Sequence, residues 1–114
     1  MVNVKGKWTL ITGAARGIGY LAAQFMAKQG SNLILQSRNI AHTEKILSEV
    51  KALGVEAFAI EAELGCEESV RKMLSAIDAL GVNVEIVLNN AGFQIGYRTD
   101  YFKIKAGDKE EKIS

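Results

Sequence analysis

Thr12-Gly13-Ala14-Ala15-Arg16-Gly17-Ile18-Gly19 is the stretch that decides the fold. Before it, Trp8-Thr9-Leu10-Ile11-Thr12 is a short apolar run rich in β-branched residues, which predicts a strand. After it, from Gly17 to Gln29, apolar residues fall at Ile18, Leu21, Ala22, Phe25 and Met26. That spacing predicts a helix, and Gly30 follows as its C-terminal stop. A plain strand-to-helix turn needs one glycine rather than three. A phosphate site needs more: a tight turn at Gly13, close backbone approach at Gly17, and close packing of helix on sheet at Gly19. The helix N-terminus would then offer unpaired N–H donors and the positive end of its dipole.

The same alternation continues outward. Leu33-Ile34-Leu35 predicts a second strand. Asn39 is a candidate N-cap for a second helix carrying Ile46, Leu47, Val50 and Leu53 on one face, stopped by Gly54. Ala57-Phe58-Ala59-Ile60 predicts a third strand, and Glu67 to Leu80 a third helix with Val70, Met73, Leu74, Ile77 and Leu80 at helical spacing. After Gly81, Val84-Glu85-Ile86-Val87-Leu88 predicts a fourth strand, running into Asn89-Asn90-Ala91-Gly92. Strands alternating with helices imply right-handed crossovers and a parallel sheet covered on both faces. The expected fold is α/β, a Rossmann-like doubly wound sheet of four strands in order 3-2-1-4 with three helices. The helices from Gly17 and Thr43 belong on one face and the helix from Glu67 on the other. Residues 1–92 form this partial dinucleotide-binding unit. Residues 93–114 read as an irregular, charged tail, solvated or disordered, with Asp108-Lys109-Glu110-Glu111-Lys112 in a row.

Composition narrows the function classes. The chain has 114 residues, 48% hydrophobic and 24% charged, as an ordinary globular domain has. A net charge of +1 leaves no electrostatic footprint for nucleic acid or an anionic membrane. The single cysteine, Cys66, excludes an intrachain disulfide and a cysteine-rich metal site, so a reducing cytoplasm is expected and no metal is. No apolar run reaches the ~18–20 residues of a membrane span, and Met1-Val2-Asn3-Val4-Lys5 opens no signal peptide. His42, in the first turn of the second helix, reads as solvated.

The glycine loop resembles that of the short-chain dehydrogenases/reductases, which reads Thr-Gly-three residues-Gly-Ile-Gly. Thr12, Gly13, Gly17, Ile18 and Gly19 match it. A second signature of that family, Asn-Asn-Ala-Gly after the fourth strand, is present as Asn89-Asn90-Ala91-Gly92. The resemblance covers about Lys5 to Gly92 and fits more weakly through Phe102. It implies nicotinamide dinucleotide binding, with Gly13, Ala15, Arg16, Gly17, Ile18 and Gly19 at the phosphates. In that family an acid after the third strand meets the adenine and its neighbour gives a backbone contact; Glu63 and Leu64 stand there, Glu63 one methylene longer than the usual aspartate. Asn90, Ala91 and Gly92 would border the adenosine ribose, and Asn89 would support the sheet.

The end of the second strand bears on the choice of cofactor. A carboxylate there would hold a ribose 2′-hydroxyl, whereas a 2′-phosphate wants arginine. The sequence reads Gln36-Ser37-Arg38-Asn39, with no acid. Arg38 offers a bidentate fork, Ser37 a hydroxyl, and Arg16 in the loop a second cation. NADP is therefore expected over NAD.

The resemblance also implies a catalytic tyrosine, a lysine four residues later and an upstream serine, all several tens of positions beyond the Asn-Asn-Ala-Gly turn. Tyr101-Phe102-Lys103-Ile104-Lys105 matches the spacing of the first two, but only nine positions after Gly92 and with no strand before it. No catalytic residue is therefore assigned. Two readings stand. One is the cofactor-binding half of an NADP-dependent oxidoreductase that passes hydride between alcohol and carbonyl. The other is an inactive nucleotide-binding fragment or pseudo-enzyme. In either, the fourth strand would be a bare apolar edge, which predicts a homo-oligomer or association through that strand.

Overall fold

A computed structural model describes residues 3–90 in full, and of the remainder the strand backbones at 102–106 and 109–113. Strand β1 (Trp8–Thr12) leads through the glycine loop into helix α1 (Gly17–Lys28). Then follow β2 (Asn32–Ser37), a short 3-10 turn (Ile40–Thr43), α2 (Glu44–Ala52), β3 (Ala57–Glu61), α3 (Glu67–Ala79) and β4 (Val84–Asn89). The four strands are parallel in the order β3-β2-β1-β4, the doubly wound Rossmann-like arrangement expected from the sequence. Asn39 does act as a cap, but for the 3-10 turn: its Oδ1 accepts the Ala41 N–H at 3.0 Å.

The two inner strands are dictated by double-sided burial. Leu33, Ile34 and Leu35 are all 0% exposed, because successive side chains point to opposite faces and both faces are covered. On one face Ile11, Leu33 and Leu35 pack with Ala23, Met26 and Ala27 of α1 and Ile46 and Val50 of α2. On the other, Leu10 and Ile34 pack with Val70, Met73 and Ile77 of α3. At the outer surface of the first pair of helices, the Tyr20 hydroxyl donates to Glu49 and Gln24 Nε2 donates to the same carboxylate at 3.0 Å. That bond to Glu49 pushes the Tyr20 phenol up to about 12 and holds the Glu49 carboxyl below its ordinary value.

Helix α1 corrects the sequence reading. The buried residues are Gly19, Ala23, Met26 and Ala27. Ile18, Leu21 and Phe25, expected on the apolar face, are 75%, 63% and 55% exposed. Both sets recur at helical spacing, so periodicity alone could not choose between them. The close approach of α1 to the glycine loop chooses, because only the face of small residues fits it. Leu53 and Leu80 are corrected likewise: each is the C-cap of its helix, and both are exposed.

Strand β4 lies at the edge of the sheet, with Ile86, Val87 and Leu88 half-buried. Within residues 93–114, where an irregular tail was expected, β5 (Phe102–Ala106) and β6 (Lys109–Ile113) pair antiparallel. The charge run that suggested a solvated tail thus supplies one strand of a two-stranded ribbon, as charged edge strands commonly do.

Candidate functional site

The glycine loop sits at the carboxyl end of β1, between β2 and β4, where the strand order reverses. Ligands of open α/β sheets bind at such switch points. Gly13 and Gly17 adopt φ of 64° and 62°, a region that side chains other than glycine's enter at a cost. A Cβ placed on Gly17 would meet nothing within 4 Å, so the loop backbone there is open to an approaching group. A Cβ on Gly19 would fall 2.1 Å from the Gly13 carbonyl oxygen and 2.8 Å from Asn90 Nδ2. Helix and loop are therefore in direct backbone contact at Gly19. Arg16 stands at the N-cap of α1, and no side chain caps the helix. The first turn carries no acid. The N–H groups of Gly17, Ile18 and Gly19 have no acceptor among the described residues. These are the donors that an anion takes at a helix N-terminus. Openness above Gly17 and uncapped amides behind it fit a pyrophosphate.

The loop rests on a polar floor. The Thr12 hydroxyl donates to Asn89 Oδ1 at 3.0 Å and accepts the Asn90 N–H at 2.8 Å. Asn90 Nδ2 donates to the Gly13 carbonyl at 3.2 Å. Asn89 Oδ1 thus ties β4 to β1, and Asn90 Nδ2 ties the end of β4 to the loop. Gln36 was not singled out from sequence as a site residue. It is 1% exposed; its Oε1 accepts the Gly13 N–H at 2.8 Å, and its Nε2 donates to the Ala62 carbonyl at 2.7 Å. The available signal was an amide closing the run Leu33-Ile34-Leu35, a position where an unpaired polar group would be costly.

Ser37 and Arg38 arrive at the same edge from β2, and Glu63 and Leu64 from the end of β3. The sequence reading found no acid beside Arg38, and the structure corrects this. The β2–β3 register sets Ser37 opposite Glu61, so the chain leaving β3 runs beside Arg38. Arg38 Nη1 lies 3.5 Å from Glu63 Oε2, and Glu61 Oε2 accepts the Ile40 N–H at 3.1 Å. The Arg38 and Glu63 side chains are 78% and 53% exposed, and such a surface pair contributes only about 0–1 kcal/mol. Arg38 is held but easily released. Glu63 Oε1 also accepts the Gly65 N–H at 3.2 Å, which folds the carboxylate back on its own turn. Leu64 packs its side chain toward the α3 core. The Ser37 hydroxyl accepts the Asn39 N–H at 3.4 Å. Arg16 and Ala15 lie on the loop itself, Arg16 exposed and without an ion pair among the described residues.

Ala91, Gly92 and Tyr101 lie outside the described residues. Lys105 belongs to extended β5, so the stretch after Tyr101 is not the helical turn that would stack tyrosine over lysine. Cys66 is exposed at the N-cap of α3, and His42 is exposed in the 3-10 turn. Among the described residues no group of three or more His, Cys, Asp or Glu could hold a metal ion, and no helix is long and apolar enough to cross a membrane.

These features define a parallel α/β sheet with its glycine loop at the switch point. The family model for short chain dehydrogenase matches residues 7–111, and the chain belongs to that family. Versicolorin reductase 1 of Dothistroma septosporum is 38% identical over 114 aligned residues, covering 97% of this chain and 41% of that protein. Among solved structures, a metagenomic short-chain oxidoreductase in complex with NADP superposes with a TM-score of 0.74 at 25% identity, covering 80% of this chain and 41% of that one. NAD+-bound xylitol dehydrogenase superposes with a TM-score of 0.75 at 30% identity, covering 82% of this chain and 36% of that one. The chain spans 35–41% of the length of the first curated relatives it matches.

Proposed function

We propose that the chain is the cofactor-holding part of an NADP-dependent oxidoreductase of the short-chain type. The observation that carries the reading is the open glycine loop over the uncapped N-terminus of α1, flanked by Arg16 and Arg38. The backbone amides from Gly13 to Gly19 would hold the pyrophosphate. Arg16, Ser37 and Arg38 would take the 2′-phosphate, Glu63 and Leu64 the adenine, and Asn90, Ala91 and Gly92 the adenosine ribose. When bound, the nicotinamide supplies or accepts hydride at a carbonyl or alcohol carbon. This chain's part is to bind, orient and neutralise the phosphates.

Titration of the purified chain with NADPH and NADH, each assayed alongside for carbonyl reduction, tests the reading. Tighter binding of NADPH is expected, with no turnover by the 114 residues alone. Equal affinities would remove the assignment of Arg16 and Arg38. Turnover that disappears in Tyr101→Phe would make Tyr101 catalytic and displace the inactive-fragment reading.

The edge strand supports a second part of the proposal, association through β4. Its outer backbone groups pair with no described strand, and Ile18, Leu21 and Phe25 of α1 stand exposed on the same molecule. Burying even ~400 Å2 of apolar surface at ~25 cal/mol per Å2 contributes on the order of 10 kcal/mol before association costs. Light scattering at tens of micromolar should report a species larger than the monomer. A monodisperse monomer with a cooperative melt would show that β4 needs no partner.

A further inference from the structure

Gln36 joins two parts of the nucleotide site that no other described side chain connects. The Gly13 N–H on one side is the first amide of the phosphate loop. The Ala62 carbonyl on the other immediately precedes Glu63 and Leu64, the adenine end. The backbone of the same residue adds a third tie, its carbonyl accepting the Ala14 N–H at 2.9 Å. The side chain is 1% exposed, so water cannot replace either of its bonds. The two demands are of opposite kind: an N–H must be accepted and a carbonyl must be supplied with a donor. A side-chain amide meets both at this reach at every pH without a charge, whereas a carboxyl does so only while protonated. A carboxylate would face the Ala62 oxygen with a second negative oxygen, and a hydrocarbon would leave two buried polar groups unpaired.

Resting on the nucleotide-site reading above, we propose that Gln36 is a positioning residue. Its amide sets the first turn of the phosphate loop against the end of β3, so that the pyrophosphate and adenine subsites keep a fixed separation. Adenine enters over one end of this bridge and the pyrophosphate over the other. A ligand carrying both groups therefore depends on the bridge more than a ligand carrying one. The ionisable groups at this edge of the sheet are Arg16, Arg38, Glu61 and Glu63, and none is bonded to the Gln36 side chain.

The test uses the full chain with ADP, which spans both subsites, and inorganic pyrophosphate, which spans one. Gln36→Met keeps the length and removes both bonds. It should weaken ADP at least tenfold and pyrophosphate less than threefold, and speed hydrogen exchange at the Gly13 amide at least tenfold, with the Leu10 and Leu35 amides still protected. Gln36→Glu supplies a pH readout. A protonated carboxyl can both accept from Gly13 and donate to Ala62, so its ADP affinity relative to the unmutated chain should be near one at pH 5.5. That ratio should fall at least tenfold by pH 8.5, as the carboxylate forms. Taking the ratio at each pH cancels the titration of the ligand and of the other edge groups.

A flat Gln36→Glu ratio, or an unchanged Gly13 exchange rate in Gln36→Met, overturns the proposal while leaving the nucleotide site standing. Equal losses of ADP and pyrophosphate also overturn it. Loss of sheet protection in both variants at pH 5.5 would assign Gln36 to folding alone. Failure of the unmutated chain to bind ADP or NADPH would overturn the nucleotide reading itself, and this inference with it.

Discussion

Gly19→Ala is expected to abolish nucleotide binding and to destabilise the fold by about 1–3 kcal/mol or more, the usual cost of forcing extra volume into a packed contact. The added methyl carbon would lie 2.1 Å from the Gly13 carbonyl oxygen and 2.8 Å from Asn90 Nδ2. The first of these is backbone and cannot swing aside. Relief requires α1 to lift from the loop, which separates the helix amides from the turn at Gly13 and breaks the Asn90 tie. Gly17→Ala is the informative control. Its methyl would meet nothing, but its φ of 62° carries a left-handed penalty of roughly 1–2 kcal/mol. A thermal melt with an NADPH titration separates the two. Gly19→Ala should lose both stability and binding, whereas Gly17→Ala should lose mainly stability. Wild-type affinity in Gly19→Ala would refute the close-contact account.

Arg38→Asp should reverse the preference between the two dinucleotides. Losing one charge-assisted hydrogen bond costs about 1.5–3 kcal/mol, or roughly ten- to hundredfold in affinity for the 2′-phosphate form. The structure adds a reason for the effect to be large. The new aspartate would join Glu61 and Glu63 at the same corner, leaving three acids where one cation had balanced them. That corner would repel a 2′-phosphate and hold a 2′-hydroxyl well. The measurement is the ratio of NADPH to NADH dissociation constants at low and high salt, since exposed charges are screened. A ratio unmoved by the substitution would place the 2′-position away from Arg38.

The strand order, both helix layers and the placement of the glycine loop were legible because each rests on local signals. Double-sided burial shows as unbroken apolar runs such as Leu33-Ile34-Leu35, and glycines mark the turns. The handedness of crossovers then leaves little freedom of topology. The buried face of α1 was not legible, because Ile18, Leu21 and Phe25 and the small residues Gly19, Ala23 and Ala27 share one period. What separates them is a contact with the loop thirteen to nineteen positions into the chain, which no hydropathy pattern encodes. The acids near Arg38 were missed for a related reason. Glu61 and Glu63 are more than twenty residues away and become neighbours only through the β2–β3 register. The pairing of β5 with β6 was obscured because β6 is a charge run with no apolar alternation, and the short alternation of Phe102-Lys103-Ile104-Lys105 in β5 was read as part of an irregular tail.

The bond from Asn90 to the Gly13 carbonyl joins residues 77 positions apart, and the Gln36 bond to Gly13 joins residues 23 apart. A peptide from Trp8 to Lys28 contains every glycine of the phosphate motif and neither of these supports. Closing the longer loop costs only logarithmically more entropy than closing the shorter, but both closures must be made before the turn has its final shape. The motif is therefore not a portable module. Transplanted without a strand carrying an amide on one side and an asparagine on the other, it would be a flexible glycine-rich segment whose N–H groups point in no common direction.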